Sequence, residues 1–84
     1  MKYVMVDHIF PIVFTEAHQH RMFEKMNITS AGFCKIVEDY DERMDGEMRW
    51  EGNYVIAYGE SLGLKMKPAP QDSKILTRFM LKNA

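Results

Sequence analysis

The sequence predicts an α+β fold: one antiparallel sheet of about four strands with two helices packed on one face, in the order β-(β)-α-β-β-β-α. Three observations carry this. The stretch from Trp50 to Met66 is rich in aromatic and β-branched residues and then alternates Leu62, Leu64 and Met66 with Ser61, Gly63 and Lys65, the period of a half-buried strand. Asp45-Gly46 is a hairpin turn of the primed type,. Near the C-terminus Ile75, Leu76, Phe79 and Met80 repeat at helical spacing,.

Residues 2–14 open the chain with Tyr3-Val4-Met5-Val6 and His8 to Phe14. Pro11 lacks an N–H and is confined to a sheet edge. The segment therefore reads as two short strands, or one strand bent at Pro11 on a sheet edge, with Asp7 and His8 as candidate bend residues. Thr15 is a helix N-cap candidate with Glu16 in the first turn,. That helix is predicted to run through Met26 and stop near Asn27, with Ala17, Met22, Phe23 and Met26 as a narrow apolar stripe. Its histidines read as exposed.

Ile28 to Val37 reads as a strand, with Gly32 signalling a bulge or a close backbone approach. The Asp45-Gly46 turn extends it toward Met44 and starts the next strand at Glu47. The Trp50–Met66 stretch is predicted to fold back at Gly59-Glu60. A two-residue turn there pairs Ala57 with Leu62 and Val55 with Leu64, and leaves Tyr54, Ile56 and Tyr58 on the other face. That face then needs a covering layer, which a partner subunit would supply. A three-residue turn pairs Tyr58 with Leu62, Ile56 with Leu64 and Tyr54 with Met66 on one core face. Turn chemistry favours the first register. Burial favours the second, with a bulge near Gly59. After Lys67-Pro68-Ala69-Pro70 the last helix is predicted over Gln71 to Leu81, with Asp72 favourable to its dipole.

The 84 residues make one domain, 1–84,. So small a domain buries only about 60% of its unfolded surface, which favours association. The net charge of −1 gives no global drive toward nucleic acid or membrane,. No apolar stretch reaches the ~20 residues of a membrane span, and Asp7, His8 and Pro11 interrupt any signal-like run. Cys34 is the single cysteine, so a reducing cytoplasm is the expected setting.

Charge is segregated. Glu38, Asp39, Asp41, Glu42, Asp45, Glu47 and Glu51 crowd the central hairpin, and Lys65, Lys67, Lys74, Arg78 and Lys82 follow it. Lys74, Arg78 and Lys82 form one helical stripe, which reads as a solvated face or as a strip for phosphates or acidic partners. A dimer joining the acidic hairpin to the basic helix is a further arrangement. Asp39-Tyr40-Asp41 fails as a calcium loop, because Arg43 and Met44 stand where an oxygen ligand and the glycine belong. His18 and His20 lie about 200° apart on a helix and cannot share an ion. With no Cys-x-x-Cys or His-x-x-x-His pair, neither a metal nor a cofactor is expected. Cys34 beside a histidine is the one candidate nucleophile–base pair, and a buried inert thiol is the alternative.

His8-Ile9-Phe10-Pro11-Ile12-Val13-Phe14, Thr29-Ser30-Ala31-Gly32-Phe33 and Tyr58-Gly59-Glu60-Ser61-Leu62-Gly63-Leu64 together resemble a group of short uncharacterised bacterial and prophage-type proteins. The resemblance implies a mobile-element accessory protein and carries no catalytic residues. The expected function is a non-enzymatic, self-associating interaction domain, a homodimer, on the small size, the Met and aromatic content, the segregated charge and the absence of a catalytic motif, with Trp50, Tyr54, Ile56 and Tyr58 at the interface. The alternatives are a nucleic-acid-binding module using Lys65, Lys67, Lys74, Arg78 and Lys82, and a small enzyme or metal protein centred on Cys34 and the histidines.

Overall fold

The structure, a computed structural model, describes residues 1–42 and 48–81. Four strands form one antiparallel sheet: β1 (Lys2–Val6), β2 (Phe10–Phe14), β3 (Ile28–Glu42) and β4 (Met48–Tyr58), in the spatial order β2-β1-β3-β4. One α-helix, α1 (Asp72–Leu81), completes the regular structure together with a 3-10 turn over His20–Phe23.

Asp7 and His8 both take left-handed backbone angles, the geometry that lets a short turn match the twist of its strands. The Ile9 N–H closes the turn on the Val6 carbonyl at 3.1 Å. Pro11 lies on β2, an edge strand, where its missing N–H costs no central ladder bond,.

The first helix is not formed as expected. Residues 15–26 hold the 3-10 turn instead of an α-helix. Ala17, Met22 and Met26 are exposed, so the apolar stripe read from the sequence has little to bury. What the segment buries is His20 and Phe23, three residues apart, and both pack against Phe14. A three-residue turn brings such a pair onto one line, which an α-helix does not. The turn also packs on the face opposite α1, so the helical segments do not share one face. Phe23 joins Val4, Ile28 and Ala31 on that outer face, whereas α1 places Leu76 among Tyr3, Met5, Cys34 and Val55 on the inner face.

The predicted fold-back at Gly59-Glu60 is corrected as well. β4 pairs with β3, from Phe33↔Tyr58 to Glu42↔Met48. The Asp45-Gly46 turn lies outside the described residues, and the strands that flank it pair in the expected sense. Gly59 leaves the strand at φ +71, and residues 61–66 form a loop held by one bridge, Ser61↔Met66. A ladder along most of β4 outweighs the short hairpin that Leu62–Met66 offers. Leu64 and Met66 instead bury against the outer-face cluster. Neither register proposed for that hairpin exists, yet Tyr54, Ile56 and Tyr58 still lie opposite the inward-facing Val55 and Ala57.

Gly32 is where the loop returns over the sheet. A Cβ there would stand 2.8 Å from the Tyr58 carbonyl oxygen and 2.9 Å from Pro68 Cγ. Backbone cannot step aside for a methyl group, so Gly32→Ala is expected to destabilise the fold by about 1–3 kcal/mol. Urea unfolding followed by circular dichroism measures this.

Helix α1 also caps the free edge of β4. The Ala57 N–H donates to Ser73 Oγ and the Val55 N–H to Thr77 Oγ1, each at 2.9 Å. Two hydroxyls one helical turn apart thus stand in for a fifth strand and block edge pairing at this point.

At the head of α1, Asp72 is fully buried. Its Oδ2 accepts from Tyr3 Oη and Ser30 Oγ, both at 2.6 Å, and from the Ala69 N–H at 2.9 Å. This carboxylate ties β1, β3 and the approach to α1 together. Burial, the hydrogen bond to Asp72 and its charge all push the Tyr3 phenol well above its ordinary value of 10.0. The sign follows from linkage. Below pH 10 both states hold the proton and the contribution is whole. Above it the unfolded chain ionises and the folded chain does not, so stability falls as pH rises. Tyr3→Phe is expected to remove up to about 1.4 kcal/mol per pH unit of that alkaline slope. Unfolding of both chains between pH 9 and pH 11 measures it.

Candidate functional site

The outer face of the β3–β4 ribbon is the candidate interface. Alternation puts Phe33, Lys35 and Val37 on this face of β3, opposite Tyr58, Ile56 and Tyr54 of β4,. The outer-face cluster of Val4, Ile28 and Ala31 covers the sheet only as far as the beginning of β3. At the start of the ribbon His20 of the 3-10 turn still packs on Phe33. Tyr54 is 38% exposed and Tyr58 42% exposed, while Val37 and Ile56 are half-buried. Phe33 stacks on Tyr58 with centroids 5.8 Å apart, and Lys35 Nζ lies 5.4 Å from the Tyr58 ring centre. The result is an ordered apolar strip with one ammonium at its margin.

Trp50, the fourth interface residue read from the sequence, occupies β4 opposite Tyr40. A bulge between Asp39 and Tyr40 separates it from the Tyr54–Tyr58 run, with Gly52 at φ +127. Only glycine adopts that angle without strain.

The basic residues do not gather. Lys74 and Arg78 are exposed on α1, on the inner side of the sheet. Lys65 is exposed in the loop whose neighbours Leu64 and Met66 pack on the outer side. Lys67 is exposed between the two, and Lys82 lies outside the described residues.

Cys34 is fully buried among Tyr3, Met5, Val55 and Leu76. Burial pushes its thiol up, against a smaller opposing pull from the N-terminal ammonium, which is the setting of an unreactive cysteine. His8 and His18 are exposed. His20, expected on an exposed helix, is buried, and among the described residues it is the one histidine whose ring has a hydrogen-bond partner. Its Nε2 lies 2.7 Å from the Gly32 carbonyl, which can only accept, so Nε2 carries the proton. Its ring meets Phe14 and Phe33 edge-on. Among the described residues, no three His, Cys, Asp or Glu side chains gather as a metal site, and no helix is long and apolar enough to cross a membrane.

Sequence reasoning missed the groups around His20. Arg21, Phe33 and Ser61 come together from three separate segments, and no local pattern announces such an assembly. Comparison with family models, with curated proteins and with solved structures finds no match to this chain.

Proposed function

We propose that the chain is a self-associating interaction domain, a homodimer whose copies meet through the outer face of β3 and β4. The observation that carries this reading is surplus surface. A folded monomer of 9.9 kDa exposes about 5,200 Å², whereas this chain exposes 6071 Å². The surplus of roughly 900 Å² is close to what one partner gives up in a standard interface. Its shape agrees: the radius of gyration is 14.8 Å, against about 12 Å for a compact chain of this length. The molecule measures 53 × 23 × 22 Å, and β3 runs on to Glu42 after its last pair with β1 at Phe33. A two-stranded ribbon is marginal alone in water. A second ribbon laid on the Tyr54–Ile56–Tyr58 strip supplies the missing layer.

The interaction is non-enzymatic in this reading. The setting is the cytoplasm, where a lone buried thiol stays reduced. The resemblance to bacterial and prophage-type proteins adds the role of a mobile-element accessory component to the same proposal.

The experiment is a dilution series followed by amide NMR. Residues 33–37 and 54–58 are expected to shift together with concentration. Shifts confined to α1 and the acidic part of the ribbon would contradict this interface and favour the charged arrangement, which salt would weaken.

A further inference from the structure

A cleft of about 420 Å³ opens on the outer face between the 3-10 turn and the 61–66 loop. Two cations and one carboxylate line it: Lys2, Arg21 and Glu60. Among the described residues Arg21 makes no ion pair, and its stem lies along Gly63. Lys2 Nζ spends one of its donors on the His18 carbonyl at 2.9 Å, which leaves two.

The loop side of the cleft adds neutral donors. Ser61 is 2% exposed, and its Oγ accepts from the Leu64 N–H at 3.3 Å. Among the described residues its hydroxyl donates to no acceptor, and neither do the N–H groups of Leu62 and Gly63. Leu62 and Gly63 are exposed, so their amides are open to a ligand that enters the cleft. Behind them, His20 is pinned to the Gly32 carbonyl and wedged between Phe14 and Phe33.

We propose that this cleft binds a phosphate ester: Arg21 and Lys2 take the phosphate, Ser61 and the Leu62 and Gly63 amides complete its hydrogen bonds, and Phe33 faces the organic group. A forked guanidinium, a point-charge ammonium, a hydroxyl and amides approach from different elements. That set suits the three oxygens of a tetrahedral phosphate better than a planar carboxylate. The cleft is also far larger than a bare phosphate, and Phe33 and Leu62 make part of its wall apolar. Glu60 tunes the site by repulsion and limits its affinity. The site borders the proposed interface at Phe33, but its donors come from β1, the 3-10 turn and the loop, so shifts at Leu62 and Gly63 report the ligand and shifts at residues 54–58 report self-association.

The test is a titration of the labelled full chain with phenyl phosphate, inorganic phosphate and benzoate, read by amide shifts. Phenyl phosphate is expected to saturate shifts at Leu62 and Gly63. Inorganic phosphate is expected at the same residues about tenfold more weakly, and benzoate more weakly still. Arg21→Gln is expected to weaken phenyl phosphate about tenfold or more. Glu60→Gln, a change at an exposed side chain that leaves the fold intact, is expected to tighten it about two- to fivefold. Shifts that do not saturate, or binding indifferent to both substitutions, would overturn the proposal. Inorganic phosphate binding as tightly as the ester would overturn the ester assignment in favour of free phosphate.

Discussion

Asp72→Ala is expected to cost about 3–5 kcal/mol of stability, the largest loss from any single substitution considered for this chain. The reason lies in what the carboxylate leaves behind. Tyr3 and Ser30 are buried donors, and both give their hydroxyl protons to Asp72 Oδ2, as the Ala69 N–H gives its own. Alanine would leave all of them without an acceptor, and each unmet donor costs about 1–3 kcal/mol. Some relaxation lowers the sum, and the lost charge at the start of α1 adds to it. The whole domain holds only about 4–12 kcal/mol, so the melting temperature is expected to fall by roughly 15 °C or more. Asp72→Asn keeps one acceptor oxygen and is expected to fall between wild type and alanine. Thermal unfolding by circular dichroism reads both. An alanine variant that melts within a few degrees of wild type would show that the carboxylate does not hold the head of the helix.

Ile56→Glu is expected to turn the proposed dimer into a monomer, weakening association by about 100-fold or more. Ile56 lies between Tyr54 and Tyr58 on the outer face and pairs with Lys35 across the ribbon. In a lone chain a glutamate there reaches water, with Lys35 beside it, so the fold is expected to persist. In the dimer it would be buried together with Lys35 between two apolar strips, where the cost of desolvating both charges exceeds what their attraction returns. Light scattering over a concentration series, with a melting curve as the control for folding, separates the two effects. Tyr54→Glu tests the same strip from a more exposed position. An unchanged mass for both variants would place the contact elsewhere.

Much of the fold is legible in the residues, and the failures have physical causes. The Asp7-His8 bend, the edge position of Pro11, the close approach at Gly32 and the final helix all rest on local backbone rules, and all are present. Thr15–Met26 misled because a narrow stripe at helical spacing also contains an i, i+3 pair, His20 and Phe23, and tertiary burial chose the pair. The alternation from Leu62 to Met66 misled because period 2 records which side chains are buried and not which chain they are buried against. Leu64 and Met66 are partly buried, by a loop.

The candidate interface was readable as a conditional: if Tyr54, Ile56 and Tyr58 faced away from the core, a second layer would be needed. Their placement came from the longer β3–β4 ladder and not from either register considered at Gly59. The Asp72 lock and the cleft beside Arg21 were not readable. Tyr3 and Asp72 stand 69 positions apart, and the cleft draws on β1, the 3-10 turn, β3 and the loop. A single sequence carries no sign of such distant meetings.

The outer face of β3 and β4 is proposed to receive a second copy of this chain. The most direct test is the mass in solution by sedimentation equilibrium, at roughly 10–100 µM and at low and high salt. Twice the chain mass of 9.9 kDa is expected, little changed by salt because the strip is apolar. A single-chain mass throughout that range would contradict it.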